Sequence, residues 1–320
     1  MINWGFIGAG SIARTSLAPA VHRSEGSKLH IAAARDADRA AALEPRKASS
    51  HYAQVIEDPD VDIVYVCLHN AAHRTWVLRA LEAGKHVLCE KPLGLNADET
   101  LEMAGAAARH QRLLVEAAWN RWHPLTRGLE RILAHGGIGT VHSAAASFDW
   151  TSPGVHNYRN SAALGGGALL DLGCYTAAAV LGAFDWQAPT GVVASATSAS
   201  PPEADLHTEA ELWFPQGRAQ LSVGFTGAMT QSLDIRGSAG RIRVDYDAFT
   251  PSANPAQAYA STPEGVEELS YPPVDAYQLM VTDVAKAVAG EPAFTVPLDQ
   301  SIAVASTLDR IRNAAHRTTR

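Results

Sequence analysis

Cysteine is scarce in this chain: Cys67, Cys89 and Cys174 are the three among 320 residues. That is too few for the disulfide framework of a small secreted scaffold. None stands in a Cys-x-x-Cys or clustered His–Cys spacing, so no zinc or other metal is expected. Basic runs are missing too. With 26 Lys and Arg against 33 Asp and Glu, the formal net charge is −7, and neither nucleic acid nor a membrane surface is expected as a partner. No apolar stretch has the length needed to span a bilayer. Met1 leads into a strand without the charged and apolar regions of a secretory leader, so a reducing cytoplasm is the expected compartment. No internal repeat stands out. What is present is ordinary for a globular protein, 47% hydrophobic and 18% charged residues, in a chain long enough that two domains are expected.

The most informative stretch is His86-Val87-Leu88-Cys89-Glu90-Lys91-Pro92. An apolar strand carries a charged pair to its carboxyl end, and proline then turns the backbone out of the strand. Open α/β sheets place their ligand chemistry at the carboxyl ends of parallel strands. Alone, Lys91 reads as a surface lysine beside a loop. Two other features reverse that reading, a dinucleotide fingerprint at the start of the chain and a glycine-led acid and phenol further on.

The fingerprint is Gly8-Ala9-Gly10-Ser11-Ile12-Ala13 after the short apolar run Trp4–Ile7. The first glycine permits the tight turn, the second lets the backbone approach a pyrophosphate, and Ala13 lets the following helix pack closely. A second strand, Leu29–Ala34, ends without the acid that an NAD site offers its ribose. Arg35 follows, and its forked charge suits a 2′-phosphate. NADP is therefore expected in preference to NAD. In the alternative, Arg35 is a solvated loop charge and Asp36 takes the ribose.

Val61–Leu68 is a near-continuous apolar run, as in a strand buried on both faces. Leu68, His69, Asn70 and His73 follow at its end, where polar side chains would meet the nicotinamide ribose. His69 and His73 read equally as helix-start residues with no ligand. A helix at Arg74–Ala83 closes at Gly84; strand Lys85–Cys89, helix Ala97–His110 and strand Leu113–Ala117 continue the alternation. Residues 1–120 are thus expected to form an α/β NAD(P)-binding domain of Rossmann type, with a doubly wound parallel sheet.

From Ala144 the pattern changes. After a helix over 124–135, strands are expected at Val141–Phe148, Val192–Ser198, Thr208–Phe214, Ala219–Phe225, Gln231–Arg236 and Ile242–Tyr246. Residues 252–264 read as a long surface excursion. Two late helices, near Asp275–Ala289 and Asp299–Ala315, are expected to pack back on the first domain. Residues 121–320 are read as an α+β substrate and oligomerisation domain with a large, mainly antiparallel open sheet. Its open face implies a homodimer or homotetramer. Within it, three glycines, Gly165 to Gly167, precede a helix on which Asp171 and Tyr175 lie four apart and share a face. The glycines would admit a cofactor or substrate. The alternative is a glycine-rich turn before a core helix with an incidental tyrosine.

Residues 8–13, Glu90-Lys91-Pro92 and Gly165–Tyr175, in that order, resemble the family of glucose–fructose oxidoreductase, inositol dehydrogenase and the rhizopine-catabolism proteins (Gfo/Idh/MocA). The resemblance covers essentially the whole chain. Many members carry histidine four residues after the aspartate. Tyr175 here resembles the branch that includes NADP-dependent D-xylose dehydrogenase and dimeric dihydrodiol dehydrogenase. Arg121-Trp122-His123-Pro124 and Asn157-Tyr158-Arg159 also resemble segments of that branch, whereas His69 departs from the proline common before Asn70.

The resemblance implies a dehydrogenase of aldoses or related cyclic polyols. Tyr175 would accept the proton, Lys91 would stabilise developing charge, and Asp171 would orient the substrate or hold Lys91. The expected cofactor contacts are Gly8, Gly10, Ser11, Ile12, Arg35, Leu68, His69, Asn70, His73, Glu90 and Lys91. The expected substrate contacts are Arg121, Trp122, His123, Asn157, Arg159 and Asp171. Two other functions compete. A trans-dihydrodiol dehydrogenase would use the same residues, favoured if Trp119, Trp122 and Trp150 line the pocket. A non-catalytic NADP-binding sensor would not need Lys91, Asp171 and Tyr175 together.

Overall fold

In the computed structural model, the described residues are 1–151, 154, 157–198, 204–225, 227–251 and 255–318. They divide into two compact units, Met1–Trp122 with Asp275–Ser301, and His123–Val274 with Ile302–Arg320.

The first unit alternates strand and helix: β1 (Ile2–Ile7), α1 (Ala18–Arg23), β2 (Ser27–Ala33), α2 (Ala37–Ala41), β3 (Lys47–Ser49), α3 (Ala53–Glu57), β4 (Ile63–Val66), α4 (His73–Glu82), β5 (His86–Cys89), α5 (Ala97–His110) and β6 (Leu114–Glu116). The six strands form one sheet in the order β3-β2-β1-β4-β5-β6, every pairing parallel. Strand order reverses beside β1, so the carboxyl ends of β1 and β4 flank the crevice where such sheets take ligands.

Alternate residues of each strand serve opposite faces. Trp4, Phe6, Tyr65, Leu88 and Val115 enter one core. Ile7, Val64, Val66, Val87 and Cys89 enter the other, under Val77 and Leu81 of α4 and Met103 of α5. Both faces are covered, which is why the strands read as unbroken apolar runs.

The second unit holds α6 (Pro124–Ala134), β7 (Val141–Asp149), α7 (Ala168–Ala183), β8 (Gly191–Ser198), β9 (Asp205–Phe214), β10 (Gly217–Gly224), β11 (Thr230–Gly237), β12 (Gly240–Val244), β13 (Ala256–Thr262) and β14 (Gly265–Tyr271). Eight strands form a sheet in the order β14-β13-β12-β11-β7-β10-β9-β8. Only β7 and β10 pair in parallel; the other pairings are antiparallel. A Rossmann-type sheet plus a large, mainly antiparallel one is the fold class the sequence led us to expect.

Helix α7 covers one face of the strands β7, β9 and β10. It is buried almost all round, so it lacks the one-sided apolar stripe of a surface helix. Along β9 the residues Thr208, Ala210, Leu212 and Phe214 are buried beneath it, while Glu209 and Trp213 are exposed on the opposite side.

The expectation for residues 252–264 is corrected. Residues 252–254 lie outside the described residues, but from Ala256 the chain forms β13, which pairs with β14 through a turn at Pro263-Glu264. Ala256, Ala258 and Ala260 are buried at every second position. The alternation is there, carried by alanine, which is depleted in strands and gives a weak signal.

Helix α8 (Ala276–Val288) belongs to the first unit, with Met280, Val281 and Val284 in the core of Trp4 and Phe6. Helix α9 (Leu298–Thr318) begins in the first unit and continues in the second.

Candidate active site

The residues expected in one site divide between the two units. In the first, Gly8 has φ +100°, and a Cβ there would lie 2.0 Å from the Cys67 carbonyl oxygen. Only glycine lets the turn press this closely on the end of β4. Gly8 N–H donates to Ala33 O at 2.8 Å on the other side, wedging the turn between β2 and β4.

The amides of Ser11 and Ile12 head a helical stretch that runs to Arg23. It carries a π-helical turn at Ala13–Leu17, where Pro19 has no N–H to return to the preceding turn. Such a turn and helix start suit a pyrophosphate, so these residues fit a dinucleotide.

Arg35 is exposed at the carboxyl end of β2. Asp36 is engaged otherwise: its Oδ1 accepts the Asp38 amide at 2.9 Å and caps α2. Arg39, one turn further on, donates to the Ala9 carbonyl at 2.9 Å and braces the glycine turn. His69 is half-buried, and burial, then the charge of Arg35, push its pKa down. Asn70 is buried at the head of a 3-10 turn, and Leu68 is part-buried.

His73 is turned fully inward. Its Nδ1 lies 3.0 Å from Pro92 O and its Nε2 3.2 Å from Leu68 O. A neutral ring has one N–H to give, assigned by distance to Pro92. Burial lowers its pKa to about 4.

The Glu90-Lys91-Pro92 turn is held from several sides. Glu90 N–H donates to Val66 O at 3.0 Å, and Tyr65 Oη donates to Glu90 Oε1 at 2.6 Å. Past the proline, Leu93 N–H donates to Glu116 Oε1 at 2.9 Å. Glu116 is buried at the end of β6; burial raises its pKa, while the charges of Lys91 and Arg121 act the other way. Lys91 therefore lies within reach of the Glu116 carboxylate on β6.

Arg121 is buried and donates to Gln300 Oε1 at 2.9 Å. Two expected substrate contacts have structural engagements. Trp122 packs edge-on against Phe294 in the core. His123 is wholly buried, its Nδ1 accepting the Leu125 amide at 3.1 Å as the cap of α6. Trp119 stacks on Tyr277 in the same core.

In the second unit, Asp171 and Tyr175 sit one turn apart on α7 and both are buried. Arg159 Nε meets Asp171 Oδ2 at 2.7 Å, and its guanidinium lies over the rings of Trp150 and Tyr158 at 5.2 and 5.0 Å. Asn157 caps the short turn that carries Arg159 by accepting its amide at 3.1 Å. Tyr175 packs edge-on against Phe148 of β7, centroids 5.6 Å apart.

Two of the three glycines admit the chain's own groups. A Cβ on Gly166 would lie 2.4 Å from Arg159 O, and one on Gly167 2.1 Å from Asp205 Oδ1. Gly167 N–H donates to Arg159 O, and Asp205 Oδ2 accepts the Leu169 amide at the start of α7. The glycines therefore seat Arg159 beside Asp171.

Among the described residues, one His–carboxylate cluster stands apart from these groups. His30, Asp58 and Asp60 have ligand-capable atoms within 4.8 Å of one another. Lys47 Nζ already holds Asp58 Oδ2 at 2.8 Å, which makes the cluster an ion-pair knot.

Comparison with known proteins gives these arrangements a context. Residues 2–117 match a family described as oxidoreductase family, NAD-binding Rossmann fold, and residues 126–243 match the GFO/IDH/MocA C-terminal domain. The chain is 32% identical over 323 residues to D-xylose 1-dehydrogenase (NADP(+)) 2 of Haloferax volcanii, covering 98% of this chain and 97% of that protein. The chain belongs to the Gfo/Idh/MocA oxidoreductase family.

Further members include a trans-1,2-dihydrobenzene-1,2-diol dehydrogenase of Bos taurus, 31% identical over 78% of this chain and 76% of its own. The crystal structure of KijD10, a 3-ketoreductase from Actinomadura kijaniata in complex with NADP and TDP-benzene, matches with TM-score 0.88 and 30% identity. It covers 98% of this chain and 97% of that one.

For this Gfo/Idh/MocA chain, sequence reading missed Tyr65, Arg39, Glu116 and Asp205. Tyr65 and Glu116 lie inside apolar strand runs, where an isolated polar residue has no spacing signal. The charge of Glu116 in such a run, close before Arg121, was the available clue.

Proposed function

We propose that this protein is an NADP-dependent oxidoreductase of a sugar, such as an aldose, or a related cyclic polyol. One observation carries the reading most. In solved variants of the 3-ketoreductase the exchanged residues are a tyrosine and a lysine, with the same separation in sequence as Lys91 and Tyr175. Arg35 at the end of β2, with Asp36 committed to its cap, supports NADP over NAD. The relatives named for NADP point the same way.

In this reading Gly8, Gly10, Ser11 and Ile12 receive the pyrophosphate, and Arg35 the 2′-phosphate. When bound, the nicotinamide exchanges a hydride with the substrate carbon. Tyr175 takes the hydroxyl proton in the oxidising direction and returns it in reduction. Lys91 hydrogen-bonds the reacting oxygen and holds charge that develops on it. Asp171 orients the hydroxyl. Arg121, Asn157 and Arg159 act around the substrate, His73 and Glu116 through the turn that carries Lys91.

The diol reading keeps Trp150, but Trp119 and Trp122 are engaged in the core. The protein pairs with copies of itself through the open face of the β8–β9 side, where Val193 and Trp213 are exposed. It works in the cytoplasm, as its free cysteines suggest. No helix among the described residues is long and apolar enough to cross a membrane.

The test is initial-rate reduction of NADP and, separately, NAD with a panel of aldoses and one trans-dihydrodiol, for wild type and Tyr175→Phe. Turnover of an aldose with NADP, reduced about 10²-fold or more in the variant, is the expected result. A variant with wild-type turnover would remove Tyr175 from its role.

A further inference from the structure

Asp171 and Tyr175 are neighbours on one face of α7, and both are buried. An ionised carboxylate one turn from a phenol opposes ionisation of that phenol, because like charges in a poorly solvated place repel. A tyrosine that must accept a proton would be badly placed there unless the carboxylate were neutralised. Arg159 does this. Its Nε is 2.7 Å from Asp171 Oδ2, with its side chain 21% and that of Asp171 4% exposed.

The guanidinium is held by more than its partner. It lies over Trp150 and Tyr158, and its own carbonyl is pinned by the Gly167 amide at 2.8 Å. Arginine suits such a site, since its planar charge stacks on rings while its fork meets a carboxylate. Burial works against the charge on Arg159, but Asp171, Tyr158 and Tyr175 together raise its proton affinity above the usual value.

We propose that Arg159 is a positioning residue for proton transfer: by holding Asp171 in an ion pair it lets Tyr175 give up its proton at a pH where catalysis runs. This deepens the reading of Tyr175 as the proton acceptor and rests on it. Within this unit the ionisable groups that the described residues place near Tyr175 include Asp171, one turn before it on its own helix, and Arg159 from the preceding segment, whose charge interacts with both. β7 presents the Phe148 ring, and β9 presents Asp205 at the start of α7, where it caps Leu169.

The experiment follows the ionisation of Tyr175 by NMR with ring-labelled tyrosine. The Tyr175 signal is assigned by its loss in Tyr175→Phe. Wild type, Arg159→Lys, Arg159→Gln and the double variant Arg159→Gln/Asp171→Asn are titrated. In Arg159→Gln the transition moves to higher pH by about one unit or more, Arg159→Lys stays near wild type, and the double variant returns toward it. The double variant also answers a failure of Arg159→Gln to fold, since it leaves no unpaired buried carboxylate.

An unmoved transition in Arg159→Gln, or a double variant shifted as far as the single one, would overturn the proposal. Undiminished turnover in Tyr175→Phe would instead overturn the choice of proton acceptor, leaving the titration result to stand by itself.

Discussion

Tyr65, wholly buried on β4, donates its hydroxyl to Glu90 Oε1 at 2.6 Å and so ties the residue before Lys91 to the neighbouring strand. Burial, then the charges of Cys67 and Glu90, raise the pKa of this phenol, so it serves as a donor. Tyr65→Phe keeps the ring in its core and removes the donor. We expect a loss of about 1–3 kcal/mol in denaturant stability, together with a fall in kcat larger than any change in KM. Unchanged stability and turnover would show that Glu90 does not depend on this tie.

Glu116 offers a cleaner separation of shape from charge. Glu116→Gln keeps an oxygen for the Leu93 amide but removes the charge between Lys91 and Arg121. Glu116→Ala removes both and leaves a buried N–H unmet. The alanine variant should lose about 1–3 kcal/mol more stability than the glutamine variant. Both should lower turnover, so a fully active Glu116→Gln would limit the role of Glu116 to its hydrogen bond.

His73 makes stability depend on pH. In the folded chain burial holds its pKa at about 4, against an ordinary 6.5. Between these values the unfolded chain binds the proton and the folded chain does not, so stability rises with pH through this window and its contribution levels off above it. The span amounts to about 3 kcal/mol. Urea denaturation of wild type and His73→Asn from pH 4 to neutrality should show the steeper pH dependence in wild type. Parallel curves would refute the assignment.

Arg35 should govern the choice of cofactor. Removing a charged hydrogen-bond partner costs about 1.5–3 kcal/mol, so Arg35→Ala should weaken NADP binding by about tenfold or more and leave NAD binding nearly unchanged. Equilibrium titration of both cofactors checks this. Equal losses for the two would mean that Arg35 acts on the loop rather than on the 2′-phosphate.

Gly166 tests the seating of Arg159. A Cβ there would meet the Arg159 carbonyl at 2.4 Å, so the backbone of one segment must shift. Gly166→Ala should cost about 1–3 kcal/mol and depress turnover beyond what a soluble, folded variant would otherwise lose. A variant as active and stable as wild type would mean the contact yields easily.

The alternation of apolar runs and helices made the first unit legible, because a doubly covered parallel sheet writes itself as continuous Val, Ile and Leu. Glu90-Lys91-Pro92 and the Asp171–Tyr175 spacing were legible for a similar reason, since polar residues at a strand end or one turn apart on a helix form a pattern. What supports them was not. Tyr65 and Glu116 act across strands, and pairing between strands is not written in local sequence. The glycines at 165–167 announced close approach and were expected to admit a cofactor or substrate; at Gly166 and Gly167 the approaching groups are the chain's own Arg159 carbonyl and Asp205 carboxylate. His73 read equally as a ligand and as a helix-start residue, and it heads α4 with its ring turned inward, its one N–H given to the Pro92 carbonyl. β13 was lost to its alanines.

Asp275–Ser301 belongs with Met1–Trp122, and this bears on how the protein is made. Met280, Val281 and Val284 fill the same core as Trp4 and Phe6, so that core cannot close when residue 122 leaves the ribosome. Domains emerging during synthesis generally fold as units, the first one first. Here the part of the chain before residue 122 must wait for the segment from residue 275, with its apolar face incomplete while residues 123–274 are translated. Nascent chains halted before residue 275 should therefore be the ones that chaperones hold.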